Sequence, residues 1–394
     1  MVNNKYLSLY TGNHGKPAGI EDYIVLITKV MGDRGMPVKV SSTLDPHAVN
    51  LVIDEFTNYF ENQRIAEFRK ANPDGQIIIF LTEFAERKWG VESFNHFGGF
   101  SDSAAIALFD VYLRVFRDDL GRVGLGMLVK LFFFLPFLIL QVMSILIKVV
   151  FDRLIGRKIS HPVAKYRQAH YRTIYFHMRY LGLKACLRYA NAVIASHEKI
   201  IDGFAKDIGS DGKPLRYFGV MYPELDESEV LSKLMVGKKL FIEITGSVTG
   251  YRQKCINRID RRLIGLGVSN VFGKCLPIPF SLLKSNKPID RGAYSLHPPQ
   301  TRTWPYCSPM RIYRALSVDH NLPILTHHFH QNPIEDVCLL AKDVKVFAAL
   351  YEMYVDPLLL RHFIEPRITA YNDIAIARNN DLAEQVRAIM KSME

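Results

Sequence analysis

Two patterns of apolar positions alternate along this chain. Short, nearly unbroken apolar runs are followed by longer stretches whose apolar residues return at helical spacing. The first half reads as a strand over 6–10, a helix over 20–31 and strands over 38–41, 50–53, 77–81 and 192–195, with Ser196, His197 and Glu198 opening a further helix. The second half repeats the style with a strand over 239–245, a helix over 253–266, a helix from Pro309 and a strand over 322–326. Apolar runs bounded by turn residues and separated by helices predict an α/β protein with parallel sheets covered on both faces. An acidic, turn-rich stretch from 222 to 229 divides the halves. The expected organisation is a first domain over 1–222, a linker over 223–237, a second domain over 238–365 and a C-terminal helix over 366–394 that packs back on the first domain. No 20–50-residue repeat is present, which excludes a solenoid.

One stretch breaks the alternation. From Leu131 to Ile147 no residue is charged, and Gln141 and Ser144 are the polar exceptions. Lys130 precedes the run, and Lys148, Arg153, Arg157 and Lys158 follow it. Its length sits at the lower edge of the ~17–25 residues that cross a bilayer, and Pro136 would kink a helix there. A spanning helix would put the two halves of one sheet on opposite sides of a membrane. A buried core helix would need a polar face that Phe132, Phe133 and Phe134 do not leave. The expectation is a hydrophobic membrane-binding insertion over 124–158 that lies in the membrane plane or dips into it, entering and leaving on the same side. Cations and aromatics mixed over 165–180 suit the same interface.

Composition narrows the classes. The 394 residues carry 50 Lys and Arg against 39 Asp and Glu, a formal net charge of +11, which calls for an anionic partner: a phosphorylated small molecule, a membrane surface or nucleic acid. A hydrophobic content of 48% against 23% charged excludes a disordered chain. Five cysteines without a C-x-x-C pair argue against a disulfide framework or zinc ribbon and for a reducing compartment. The first residues lack the pattern of a signal peptide and lead straight into a strand.

Three loops carry candidate chemistry. Gly12, Gly15 and Gly19 lie between the first strand and the first helix, where backbone N–H groups and a helix N-terminus favour an anion; the alternative is a plain tight turn. After the strand over 239–245 come Gly246, Ser247, Thr249 and Arg252, two hydroxyls and a guanidinium suited to phosphate oxygens. Ser308 and Pro309 give a strong helix start, with Ser308 as N-cap, Pro309 at the first helical position, and Met310 and Arg311 in the first turn. The helix tip and Arg311 together would hold a diphosphate; the alternative is an ordinary capped helix.

Ser308 to Thr326 (Ser-Pro-x-Arg-Ile-x-x-Ala-Leu, then Leu-Pro-Ile-Leu-Thr) resembles the C-terminal half of GT-B-fold glycosyltransferases. The loop over 12–19, the stretch 189–196 and Phe218 to Pro223 are similar to other parts of that fold. The resemblance implies two doubly wound Rossmann-like domains facing a cleft. It also implies a nucleotide-sugar donor held by the second domain at Gly246, Ser247, Thr249, Arg252, Ser308, Pro309, Met310 and Arg311, with no metal and no further cofactor. Many retaining members carry two Glu with seven residues between them; here those positions are Tyr306 and Arg314, so donor nucleotide and stereochemistry stay open. Asp319, His320 and Asn321 replace the usual turn of a small residue and Gly before the last strand.

Glycosyl transfer needs charge stabilisation on the departing diphosphate and, for inversion, a base for the acceptor hydroxyl. Glu83, His14 and Glu55 are the candidate bases, Glu83 because it follows a strand at the end where ligands gather in α/β sheets. His327, His328 and His330 lack the helical spacing and carboxylate of a zinc site and read as cleft lining. The expected protein is a glycosyltransferase on the cytoplasmic face of a membrane, acting on a lipid-linked or glycan acceptor in polysaccharide or glycolipid synthesis. The alternatives are a non-catalytic binding protein of the same fold and a basic nucleic-acid-binding protein, for which no motif is present.

Overall fold

The computed structural model describes residues 6–12, 20–53, 59–82, 146–156, 186–198, 216–245, 250–265, 276–278, 290–298, 307–326, 332–341 and 344–393, together with positions 139, 143, 183, 200 and 267. Strands β1 (Leu7–Tyr10), β2 (Val38–Ser41), β3 (Val49–Ile53), β4 (Gln76–Leu81), β5 (Ala192–Ala195) and β6 (Arg216–Val220) form one sheet in the order β2-β1-β3-β4-β5-β6. Every pairing in it is parallel. All residues of β1, β3 and β5 are buried, as an unbroken apolar run must be between two helical layers. The edge strand β2 is only half covered and carries the charged Lys39.

Helix α1 (Ile20–Gly32) buries Ile20, Tyr23, Leu26, Ile27, Val30 and Met31, one stripe at spacings of three and four, with Glu21 and Asp22 in its first turn and Lys29 in its last. Helix α2 (Tyr59–Ala71) joins β3 to β4.

A second parallel sheet contains β7 (Lys239–Thr245), β8 (Leu276–Ile278), β9 (Gly292–His297), β10 (Leu322–Leu325) and β11 (Leu339–Leu340) in the order β11-β10-β9-β7-β8. In both sheets the strand that comes first in sequence lies between the second and the third. That is a doubly wound order, and it puts a switch point between β1 and β3 and another between β7 and β9. Helices α3 (Glu227–Lys233), α4 (Gly250–Gly265), α5 (Pro309–Ser317), α6 (Val344–Val355) and α7 (Pro357–Ser392) complete the described elements with a 3-10 turn over Pro333–Val337.

Several boundaries differ from the sequence reading. Residues 196–198 form a bend rather than the start of a helix, with the Ile200 N–H donating to the His197 carbonyl. The stretch expected as a linker holds α3, because Asp226 caps it by accepting from the Glu229 N–H. Strand β9 has no counterpart in the sequence reading. Residues 146–154 are helical, while most of the insertion over 124–158 lies outside the described residues. Among the described residues no helix is long and apolar enough to cross a membrane.

Helix α7 starts on the Asp356 cap, contains Pro366, and packs on α6, the 3-10 turn, α3 and β6, so it touches both sheets' surroundings. Residues 221–226, between the sheets, are held on it by amide pairs. Asn379 donates to the Tyr222 carbonyl (2.9 Å) and accepts from its N–H (3.0 Å), and Asn372 does the same with Leu225 (2.9 and 3.0 Å). The two asparagines are two helical turns apart, on one face.

Candidate functional site

The C-terminal ends of β7 and β9, at the switch point between them, carry one group of polar and charged side chains of the second sheet. Beyond the C-terminal end of β7, the first turn of α4 carries Arg252, which is 2% exposed. The last residue of β9 is His297, buried, with Nε2 2.8 Å from the Ser295 hydroxyl. Ser295 and His297 share a face because strand side chains alternate. The chain then returns at Cys307 and Ser308 to start α5, whose first turn holds the half-buried Arg311.

These groups lie in one another's field. Burial lowers the Arg252 guanidinium to about 10, and the like charge of Arg311 adds to the shift. Burial drives the His297 imidazole down to about 3, with Arg311 and Arg252 contributing, so it is neutral at physiological pH. Burial pushes the Cys307 thiol up to about 12; the two arginines oppose that shift and Glu335 reinforces it. Two guanidinium groups and a neutral imidazole around the opening of a helix form an electropositive, desolvated corner. Such a corner gains energy by accepting an anion, above all one that can take bidentate hydrogen bonds.

Ser308 is the residue before α5, but its hydroxyl makes no cap bond to the helix. Ser308 thus holds the N-cap position read from the sequence, with Pro309 at the first helical position, but without a side-chain cap bond. The hydroxyl lies 3.4 Å from the Tyr23 hydroxyl of α1, which also donates to the Thr82 carbonyl at the end of β4 (3.3 Å). Tyr23 packs edge-on against Phe80, with ring centroids 5.8 Å apart. Tyr23 therefore connects the C-terminal end of a strand in the first sheet to the tip of α5.

Beside it Arg314 reaches Asp22 (3.6 Å) and Asp319 (3.8 Å). Desolvation raises the Asp22 carboxyl, and Arg314 offsets part of that rise. Arg314 of α5 thus pairs with one acid from α1 and one from the turn before β10. His320 takes the left-handed backbone (φ 48°) that a glycine usually supplies at such a turn, and its Nδ1 sits 3.2 Å from the Leu316 carbonyl.

Of the residues proposed from sequence, the structure places Arg252, Ser308, Pro309, Met310 and Arg311 around this corner, with Pro309 and Met310 buried against the core. Gly12 lies just beyond β1 in the first sheet, at φ 61°, where a side chain would strain the turn. His14, Gly15, Gly19, Glu55, Glu83, Gly246, Ser247 and Thr249 lie outside the described residues, as do His327, His328 and His330. On α4 Arg258 and Arg261 are exposed, whereas Arg262 donates to the Ala341 carbonyl at 2.7 Å. His297 and Tyr23 have no counterpart among the site residues read from the sequence: His297 closes a strand of mixed small and polar residues, and Tyr23 reads as part of the buried stripe of α1. Among the described residues no group of His, Cys, Asp or Glu is arranged to hold a metal ion.

The described elements thus form two doubly wound parallel sheets of Rossmann-like order, with charged groups at the switch point of the second. No protein-family model matches the chain, and no curated protein sequence does. Among solved structures the chain is similar to an α,α-trehalose-phosphate synthase (UDP-forming) from Burkholderia vietnamiensis, at 9% identity and a TM-score of 0.39, over 94% of this chain and 79% of that one. It is also similar to a UDP-forming α,α-trehalose-phosphate synthase from Burkholderia xenovorans, at 11% identity and a TM-score of 0.37, over 96% of this chain and 80% of that one.

Proposed function

We propose that this chain is a glycosyltransferase that takes its sugar from a nucleoside-diphosphate sugar and passes it to a hydroxyl of a lipid-linked or glycan acceptor at the cytoplasmic face of a membrane. The observation that carries the reading is the convergence of Arg252, Arg311, His297 and the start of α5 at the β7–β9 switch point. In open α/β sheets ligands bind outside the carboxyl ends of the strands at such a point. In the reaction the bond between the anomeric carbon and the diphosphate oxygen breaks, and a bond from that carbon to the acceptor oxygen forms. Negative charge builds on the departing nucleoside diphosphate, and Arg252, Arg311 and the helix N–H groups stabilise it there. Neutral His297 adds a hydrogen-bonding group without adding charge. The acceptor proton goes to a base from the first domain, for which Glu83, His14 and Glu55 are the candidates. The donor site needs no metal, because the arginines supply the positive charge.

The test is a thermal-shift screen of UDP, GDP, ADP and CMP compounds, followed by sugar transfer to membrane extract with the nucleotide that binds. One nucleoside diphosphate is expected to raise Tm, and Arg311→Ala to abolish that rise while changing Tm of the free protein little. Loss of the site's electrostatic contact should cost about a hundredfold in transfer. A chain that binds a nucleotide but transfers nothing would be a non-catalytic protein of this architecture, a reading favoured by Arg314 at a position where retaining enzymes carry Glu. Absence of any nucleotide shift would end both readings.

A further inference from the structure

We infer that the helical stretch 146–154 lies in the plane of an anionic lipid monolayer, with its apolar face in the acyl region and Lys148 and Arg153 at the headgroups. This rests on the membrane reading above and gives it a surface, an orientation and a lipid preference. The stretch is amphipathic in the inverse sense to a helix of a soluble core. Its large apolar residues Leu146, Ile147, Val150, Phe151 and Leu154 are exposed, from 48% at Leu146 to 79% at Leu154, whereas Asp152 and Val149 are buried.

At about 100° per residue the five apolar side chains fall in one arc of about 140°. Arg153 stands about 20° beyond one edge of the arc and Lys148 about 60° beyond the other, and the two buried residues fill the rest of the circle. Both cations are exposed. Ile139 and Met143, helical and exposed, precede the stretch, and Ile155 follows it.

The arrangement decides among occupants. A spanning helix must be apolar around its whole circumference over about 20 residues, and here Lys148, Asp152 and Arg153 fall within two turns. A helix in the interface requires one broad apolar face bounded by long cationic side chains that reach headgroup phosphates, with acids turned elsewhere. This stretch meets each condition, its single acid being the buried Asp152. The sequence adds charge of the same sign just after it, at Arg157 and Lys158, on a chain of net +11.

The experiment is vesicle flotation of the full-length protein with phosphatidylcholine alone and with phosphatidylcholine containing phosphatidylglycerol. It compares the parent with Ile147→Asp/Leu154→Asp and with Lys148→Glu/Arg153→Glu. The parent should float with the anionic vesicles and be released by alkaline carbonate. The apolar double variant should fall to background, and the charge double variant should bind anionic vesicles more weakly by at least about thirtyfold, the loss of two cations alone. All substituted side chains are exposed, so Tm should stay within a degree or two of the parent, as a melting curve of each variant checks. Equal binding to both vesicle types, unchanged binding by either variant, or resistance to carbonate would overturn the inference. So would a dimer in light scattering that Ile147→Asp/Leu154→Asp dissociates. The nucleotide-induced Tm shift of the same variants separates this inference from the donor reading. Loss of vesicle binding with the shift intact is the expected result for the variants, and a parent that floats without any nucleotide shift removes the donor reading alone.

Discussion

His297 shows how much of the second lobe's chemistry depends on one burial. An imidazole in water titrates near neutrality, whereas here burial beside two arginines holds it neutral down to about 3. His197, buried at the end of β5, is driven down to about 4 by burial alone. Because the folded values lie below that of the unfolded chain, the unfolded state takes up protons first as pH falls from about 6.5, and stability declines with it. Each histidine should cost about 2 kcal/mol at pH 5 relative to pH 7. Urea unfolding of His297→Gln at the two pH values should show a loss smaller than that of the parent by this amount. An unchanged loss would mean that the imidazole is charged or reaches water in the folded protein. The charge clusters at Arg252 and Arg311 could be proposed from composition and loop position. His297 could not, because it closes a strand of mixed small and polar residues, Gly-Ala-Tyr-Ser-Leu-His, in which no period stands out.

The same strand explains the internal order of the second sheet. Glu243, fully buried in the middle of β7, accepts from Arg291 (2.6 Å), the Gly292 N–H (2.7 Å) and Asn321 (2.8 Å), and Arg291 continues to Asp319 (3.0 Å). This ties β7 to the starts of β9 and β10 through one carboxylate. Burial disfavours the Arg291 charge, but Glu243 and Asp319 outweigh it and raise the guanidinium above its ordinary value. Replacing Glu243 with Ala strands the arginine and should destabilise the fold by about 3–5 kcal/mol in denaturant unfolding. Glu243→Gln, which keeps the shape and part of the bonding, should cost less. Gly292 is constrained differently: a Cβ there would stand 2.7 Å from the Phe241 carbonyl oxygen. Gly292→Ala should therefore cost about 1–3 kcal/mol by forcing β7 and β9 apart. A strand reading based on apolar runs recovers β7 and places Glu243 in it, but the partners of that carboxylate come from segments about 50 and 80 residues away, beyond the reach of local pattern.

Among the described residues, polar groups on α7 and around α1 bridge the two sheets beside a shared apolar core. Asn372 and Asn379 grip residues 222 and 225, Tyr371 donates to the Pro223 carbonyl, and Arg34 in the turn after α1 bonds Glu224 (2.7 Å) and Asn380 (2.8 Å). On the other side Tyr23 and Asp22 of α1 meet Ser308 and Arg314 of α5. Asn372→Ala/Asn379→Ala removes four hydrogen bonds to the connecting backbone without touching either sheet. Calorimetry should then resolve the melting into two transitions, as expected when a contact between lobes is loosened. A single transition at unchanged Tm would show that the clamp does not couple the sheets.

Periodicity was enough for the α/β class, for β1, β2, β5, β7 and α1, and for the position of the α5 start, because buried parallel strands and one-sided helices write their burial directly into consecutive residues. The helix-start signal at Ser308 and Pro309 was also local, although the Ser308 hydroxyl turned out to face Tyr23 instead of its own helix. The strand order, the central place of β9, the meeting of Arg252 with Arg311 and His297, and the gathering of α7 onto the connecting segment needed the folded chain. Each depends on contacts between residues far apart in sequence. A local pattern records whether a residue is covered, and only the packing of distant segments records by what.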